Sequence, residues 1–91
     1  MSQFVLVRHK VRDFKTWKVA FDTHRPKRVE AGLSEKLLLR GSDDANEVLL
    51  LLEAKDLSRA KAFTSSADLR DTMQAAGVAD KPDIYFLNDL E

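Results

Sequence analysis

The chain has 91 residues, enough for one domain and too few for two. Fifteen lysines and arginines balance fifteen aspartates and glutamates, so the basic excess that displaces counterions from nucleic acid or anionic lipid is missing. Cysteine is absent, which excludes disulfides, a thiolate metal site and a cysteine nucleophile.

A 44% hydrophobic and 33% charged composition is that of a soluble globular domain with a well-solvated surface. No apolar run approaches the ~20 residues that span a bilayer. Met1-Ser2-Gln3 leads straight into a strand-like segment rather than a signal-peptide pattern. The expectation is a single domain over residues 1–91, cytoplasmic, with neither nucleic acid nor membrane as a partner.

Residues 4–11 are short and rich in β-formers, which predicts a strand. Alternation places Val5, Val7, His9 and Val11 on one face and Phe4, Leu6, Arg8 and Lys10 on the other. Asp13 is a suitable helix N-cap. After it, Phe14, Trp17, Phe21, His24 and Arg28 recur at spacings of three and four, one helical stripe that begins aromatic and ends polar. Pro26 is incompatible with an ordinary helix interior. Either the helix kinks there, or it ends near His24 and restarts with Pro26 in its first turn. Gly32 supplies the stop.

Residues 33–40 form a second predicted strand around Leu37, Leu38 and Leu39. Residues 41–46, Gly-Ser-Asp-Asp-Ala-Asn, have hairpin length and turn composition. Residues 47–54 make the third strand, whose run from Val48 through Leu52 has no polar face. Asp56 caps a second helical region with Leu57, Ala60 and Phe63 on one side. Its phase slips at Thr64-Ser65-Ser66. Ser65 and Asp68 then have capping-box spacing for a further short helix that carries Leu69, Met73 and Ala76 inward and stops at Gly77. Residues 83–90 form the last strand, with Ile84, Phe86 and Asn88 on one face and Tyr85, Leu87 and Asp89 on the other.

The order is β-α-β-β-α-β, the ferredoxin-like arrangement of an α+β protein. Right-handed crossovers place both helical segments on one face of a four-stranded antiparallel sheet. The other sheet face has no cover within the chain, yet the third strand is apolar on both faces and the first and fourth are largely so. A bare face of that kind exceeds what monomers usually expose. The economical solution is a homodimer packed sheet to sheet about a two-fold axis.

The succession Val11-x-Asp13-x-x-x-Trp17, Phe21-x-x-His24, Gly32, Asp44-x-Asn46-Glu47-Val48, Ala76-Gly77-Val78 and Asp83-Ile84-Tyr85-Phe86 resembles small bacterial proteins of the dimeric α+β barrel superfamily. That group includes antibiotic-biosynthesis-monooxygenase-like, stress-responsive barrel-like and polyketide-cyclase-like proteins. The resemblance runs from Phe4 to Leu90 and implies a sheet-to-sheet dimer forming an α+β barrel. It does not select a reaction, because relatives include cofactor-free oxygenases of polycyclic phenols, haem-degrading enzymes, muconolactone isomerases and chlorite dismutases. Haem-degrading relatives pair an Asn and a Trp with a helical His. Here the only asparagines, Asn46 and Asn88, lie in a turn and near the C-terminus.

The resemblance also implies a ligand cavity between sheet and helices, walled by the stripe from Trp17 to Arg28. Within it His24 is the candidate base, since imidazole titrates near working pH. The competing reading has its ring bond a carbonyl freed by Pro26. Arg28 is the candidate oxyanion holder, through its forked donors. His9, Trp17, Phe21, Arg40 and Tyr85 are candidate substrate-binding residues, each with a structural alternative: a cap on the barrel's open end or a bond to a neighbouring strand for His9, core packing for Trp17 and Phe21, an ion pair for Arg40, a backbone partner for the Tyr85 hydroxyl. Two histidines do not make a metal site, and carboxylates to complete one (Asp22 or Glu53) are not specified by spacing. No metal and no cofactor are expected. The reading that results is a homodimer binding a small, partly apolar, aromatic or polyketide-like molecule, with cofactor-free monooxygenase, cyclase or isomerase chemistry if it is an enzyme. The alternative is a non-catalytic dimeric module for a metabolite or a protein, and a cavity of a few hundred Å³ would separate the two.

Overall fold

A computed structural model describes residues 2–90. The elements run β1 (Gln3–Lys10), α1 (Phe14–Thr23), α2 (Arg25–Glu30), β2 (Leu33–Arg40), β3 (Glu47–Ala54), α3 (Leu57–Thr64), α4 (Ala67–Ala75) and β4 (Asp83–Asn88). The four strands form one antiparallel sheet in the order β2-β3-β1-β4. This is the expected ferredoxin-like α+β fold, with each crossover built from two short helices.

The alternation in β1 is realised. Val5, Val7 and His9 are buried on the helix side, and they pair with Leu52, Leu50 and Val48 of β3, which are buried too. Val11 lies just past the strand in an isolated bridge to Val78. Strand β4 stops at Asn88, two residues short of the expected end. Beyond it, the Asp89 N–H donates to the Ser2 carbonyl, and the Asp89 carboxylate accepts the Ser2 N–H.

Helix α1 starts where Asp13 accepts hydrogen bonds from the Thr16 N–H and hydroxyl. Of the two alternatives for Pro26, the chain takes the second. Helix α1 ends at Thr23, and Pro26 sits in the first turn of α2, where a missing N–H costs no helical bond. His24 is left at the junction of the two helices. Gly32 ends α2 at φ +80°, which a side chain would resist. The α3–α4 junction differs from expectation. Ser66, not Ser65, caps α4 by accepting the Leu69 N–H, while the Ser65 hydroxyl turns back to the Lys61 carbonyl.

Strand β2 holds a register shift between Glu35 and Leu37. Glu35, like Leu33, stands on the helix side, opposite Leu52, and the irregularity after it turns Leu37 and Leu39 to the other side, opposite Leu51 and Leu49. Trp17, Phe21, Val5, Val48, Leu52 and Ala60 form the centre of the core between sheet and helices. Each large apolar side chain buried there contributes about 1.5–3 kcal/mol. On the opposite sheet face, Leu37, Leu39, Tyr85 and Leu87 remain between 40% and 52% exposed. No helix is long and apolar enough to cross a membrane among the described residues.

Candidate functional site

The inner face of the sheet and the four helices leave a cavity of about 80 Å³. Val7, Leu50, Leu52 and Ile84 form its floor, Trp17 and Phe21 one wall, and Phe63, Leu69, Thr72 and Met73 the other. His9, His24 and Arg28 bring nitrogen atoms to this otherwise apolar lining. The amphipathic stripe and the strand alternation therefore converge on one space. His9 arrives from β1, His24 from the helix junction and Arg28 from α2.

His9 is 3% exposed. Neither ring nitrogen has a hydrogen-bond partner among the described residues. The ring meets Trp17 edge to face, with centroids 5.5 Å apart. Burial pushes its pKa below the ordinary imidazole value, and the nearby Asp80 carboxylate opposes that only in part. His9 is thus held neutral at neutral pH, one nitrogen an acceptor and the other a donor. Leaving such a group unpaired costs about 1–3 kcal/mol.

His24 stacks on Phe63 at 5.8 Å. Its buried Nε2 makes no hydrogen bond. The closest opposing charge is Asp68, with Oδ2 3.8 Å from Nε2 and 70% of its side chain exposed. The local capping bond envisaged for this ring is not made at Nε2.

Arg28 is buried, 5% exposed, and largely committed. Its Nη1 donates to the Phe21 carbonyl at 2.8 Å, and its Nη2 donates to Glu35 at 3.1 Å. Its guanidinium carbon lies 3.6 Å from the Phe21 ring centroid. Only Nε is buried without a partner. Burial lowers the Arg28 pKa while Glu35 raises it. Hydrogen bonds from Arg25 and Arg28 hold the Glu35 carboxyl down at about 2. Glu35 did not stand out in the sequence. The signal that could have found it is an acid in a strand that follows a basic helix, two residues after the buried Leu33 and so on the same face.

Two candidates lie elsewhere. Arg40 stacks its guanidinium over Phe14 at 3.9 Å and donates from Nε to the Ala45 carbonyl, outside the cavity lining. Tyr85 pairs with Leu6 on the opposite sheet face, half exposed, so it faces away from the cavity. The two carboxylates considered for a metal are engaged with cations: Asp22 with Lys18 and Arg25, and Glu53 with Lys36. Among the described residues no three His, Asp or Glu side chains gather in a metal-holding group.

No protein-family model and no curated protein matches the chain. Solved structures do. A provisionally named antibiotic biosynthesis monooxygenase from Nitrosomonas europaea superposes with a TM-score of 0.72 at 22% identity, over 98% of this chain and 90% of that one. Another of the same description, from Caulobacter crescentus CB15, gives 0.75 at 18% identity, over 99% and 91%. SnoaB, a cofactor-independent oxygenase from Streptomyces nogalater, gives 0.76 at 13% identity, over 99% and 94%. The chain has the fold of antibiotic biosynthesis monooxygenase-like proteins over nearly its full length. At these identities the likeness is one of fold.

Proposed function

We propose that this protein binds a small, partly apolar molecule between sheet and helices and acts on it by cofactor-free oxygenase chemistry. The observation that carries the reading is the cavity itself, an apolar space into which His9, His24 and Arg28 bring buried nitrogens without partners. A ligand oxygen would satisfy them. Trp17 and Phe21, stacked at 4.8 Å, offer a flat wall for a planar ligand. His24 and Arg28 would meet the reacting end, with His9 beside them. The oxygenase element is supported by the fold shared with SnoaB, a cofactor-independent oxygenase. In the simplest such reaction a base removes a proton from an activated CH2, and the carbanion reacts with O2. The carbon becomes a carbonyl, and the second oxygen atom leaves as water.

The working unit in this reading is a homodimer. Leu6, Leu51, Leu37 and Tyr85 align across the sheet on its outer face, and nothing among the described residues covers them. A second copy packed there would remove an apolar patch that a monomer would leave in water.

One observation favours a second reading. A cavity of about 80 Å³ is smaller than the few hundred Å³ of a preformed ligand pocket. A non-catalytic dimeric binding module would need no more. Native mass spectrometry of gently purified protein, followed by oxygen-uptake assays with any molecule it retains, tests both. A dimer mass with a bound molecule that consumes O2 supports the oxygenase. A dimer that retains no small molecule selects the non-catalytic module. A bare monomer overturns both.

A further inference from the structure

From the arrangement around β1 we infer that His9 is the proton-accepting residue of this site, and that its ligand is a compact, neutral molecule with an enolisable or weakly acidic hydroxyl group. The inference rests on the small-molecule reading above and adds to it the acting residue and the ligand's charge.

The three polar groups at the cavity are not equivalent. Arg28 has given two of its three nitrogens to the Phe21 carbonyl and Glu35. Its charge faces Glu35, a partner it shares with Arg25. His24 has its Nε2 3.8 Å from the carboxylate of the exposed Asp68. His9 alone has both nitrogens buried and unpartnered. It is also the most rigidly mounted. His9 pairs with Val48 of β3, the neighbouring Lys10 carbonyl accepts the Ala79 N–H, and Trp17 meets the ring edge to face. A base held in one orientation on a central strand meets the positional demand of proton transfer better than one at a helix junction.

The charges around His9 select the ligand. Asp80, in the connector before β4, is the charge that acts on it, and its carboxylate accepts the Lys10 N–H. From the helices, His24 and the Arg28–Glu35 pair share the cavity, while Leu69, Thr72 and Met73 of α4 add no charge. Arg28, the permanent cation in the cavity lining, already faces Glu35, and it turns two of its three nitrogens to that carboxylate and the Phe21 carbonyl. A carboxylate ligand would lose its hydration without gaining a counter-charge. A neutral hydroxyl or enol loses less and finds the His9 lone pair. In the proton transfer, the ligand O–H or activated C–H bond breaks, its electron pair stays on the ligand, and the proton moves to the imidazole. An enolate beside an imidazolium results. The unpartnered Arg28 Nε is a further donor at the same cavity.

The test uses the whole chain and three probes of similar size: pentane-2,4-dione, pentanoate and pentane. Occupancy is read from the methyl signals of Leu50, Met73 and Ala76. Proton transfer is read from deuterium exchange at the central CH2 of the dione. A positioned base supplies about 10²–10⁴-fold, so exchange of the bound dione should exceed that of the free dione by at least about 100-fold. His9→Gln should abolish this, and added imidazole should restore part of it in His9→Ala. In the unsubstituted chain, which avoids any loss of folding, the His9 ring nitrogen signals should move with the dione and not with pentane. An occupied cavity with unmoved His9 nitrogens, or undiminished exchange in His9→Gln, overturns His9 as the acceptor. Pentanoate binding more tightly than the dione overturns the neutral ligand. Failure of the underlying reading would show differently: no probe, pentane included, would move the cavity methyl signals.

Discussion

The Arg28 guanidinium lies 3.6 Å from the centroid of the Phe21 ring, and it donates to the carbonyl of that same residue at 2.8 Å. The two contacts tie α2 to α1 across the break that Pro26 imposes. They also hold Arg28 beside the cavity, with Glu35 facing its charge. The stripe from Trp17 through Phe21 to Arg28 is thus one stack, with His9 closing its far end against Trp17.

Arg28→Ala should therefore cost stability as well as any binding. It leaves the Phe21 carbonyl short of its side-chain donor and removes one of the two partners of Glu35. Glu35 keeps Arg25, which limits the loss. The expected cost is about 2–3 kcal/mol, between a lost charged hydrogen bond and a broken buried pair. Urea unfolding with an unchanged slope and a lower midpoint would show it.

Acid should destabilise the fold in two separable windows. His9 has a lowered pKa when folded, so below about 6.5, the ordinary imidazole value, the unfolded chain binds its proton first and stability falls with pH. Glu35 has a folded value of about 2 against an ordinary 4.5. Its contribution is present above 4.5 and lost as pH falls toward 2. His9→Leu should flatten the first window, and Glu35→Gln the second. Thermal melting across pH 2–8 would separate them.

Asn46 closes the end of the sheet against α1. Its Oδ1 accepts the Phe14 N–H at 3.1 Å, and its Nδ2 donates to the Arg12 carbonyl at 3.3 Å. Asn46→Ala should cost about 1–2 kcal/mol, as for a lost helix cap, and Asn46→Asp should recover part of it by retaining the acceptor. Chemical denaturation of the three proteins gives the comparison.

Leu51→Lys places a charge in the middle of the outer sheet face, opposite Leu6 and Leu37. It should shift the native mass from dimer to monomer and leave the far-ultraviolet spectrum of the folded chain in place. A dimer that survives this substitution is not formed through the sheet.

The stripe in α1 and α2 and the alternation in β1 were legible because a period repeats over enough residues to specify a face. Asp13, Asp56 and Gly32 were legible because capping and positive φ are local demands. The outward turn of Leu37 and Leu39 was not. It follows from one irregularity at Lys36 that reverses the sides on which later β2 residues stand, and only pairing with β3 decides that. The α4 cap moved from Ser65 to Ser66 because adjacent serines have nearly equal local preference, and the packing of α3 chose between them. Arg40 and Tyr85 were drawn to the site by chemistry alone. The sheet put Tyr85 on its other face, and Phe14 took Arg40.

By itself the sequence determined the element order, the antiparallel α+β fold, the buried face of each crossover and the apolarity of both sheet faces, because these follow from period and local chemistry. Tertiary structure alone decided which polar groups meet at the cavity and which are already spent. A nitrogen's availability depends on what lies within about 3 Å of it, and those neighbours come from distant parts of the chain. Phe21 and Glu35 occupy Arg28, whereas the His9 nitrogens have no hydrogen-bond partner among the described residues.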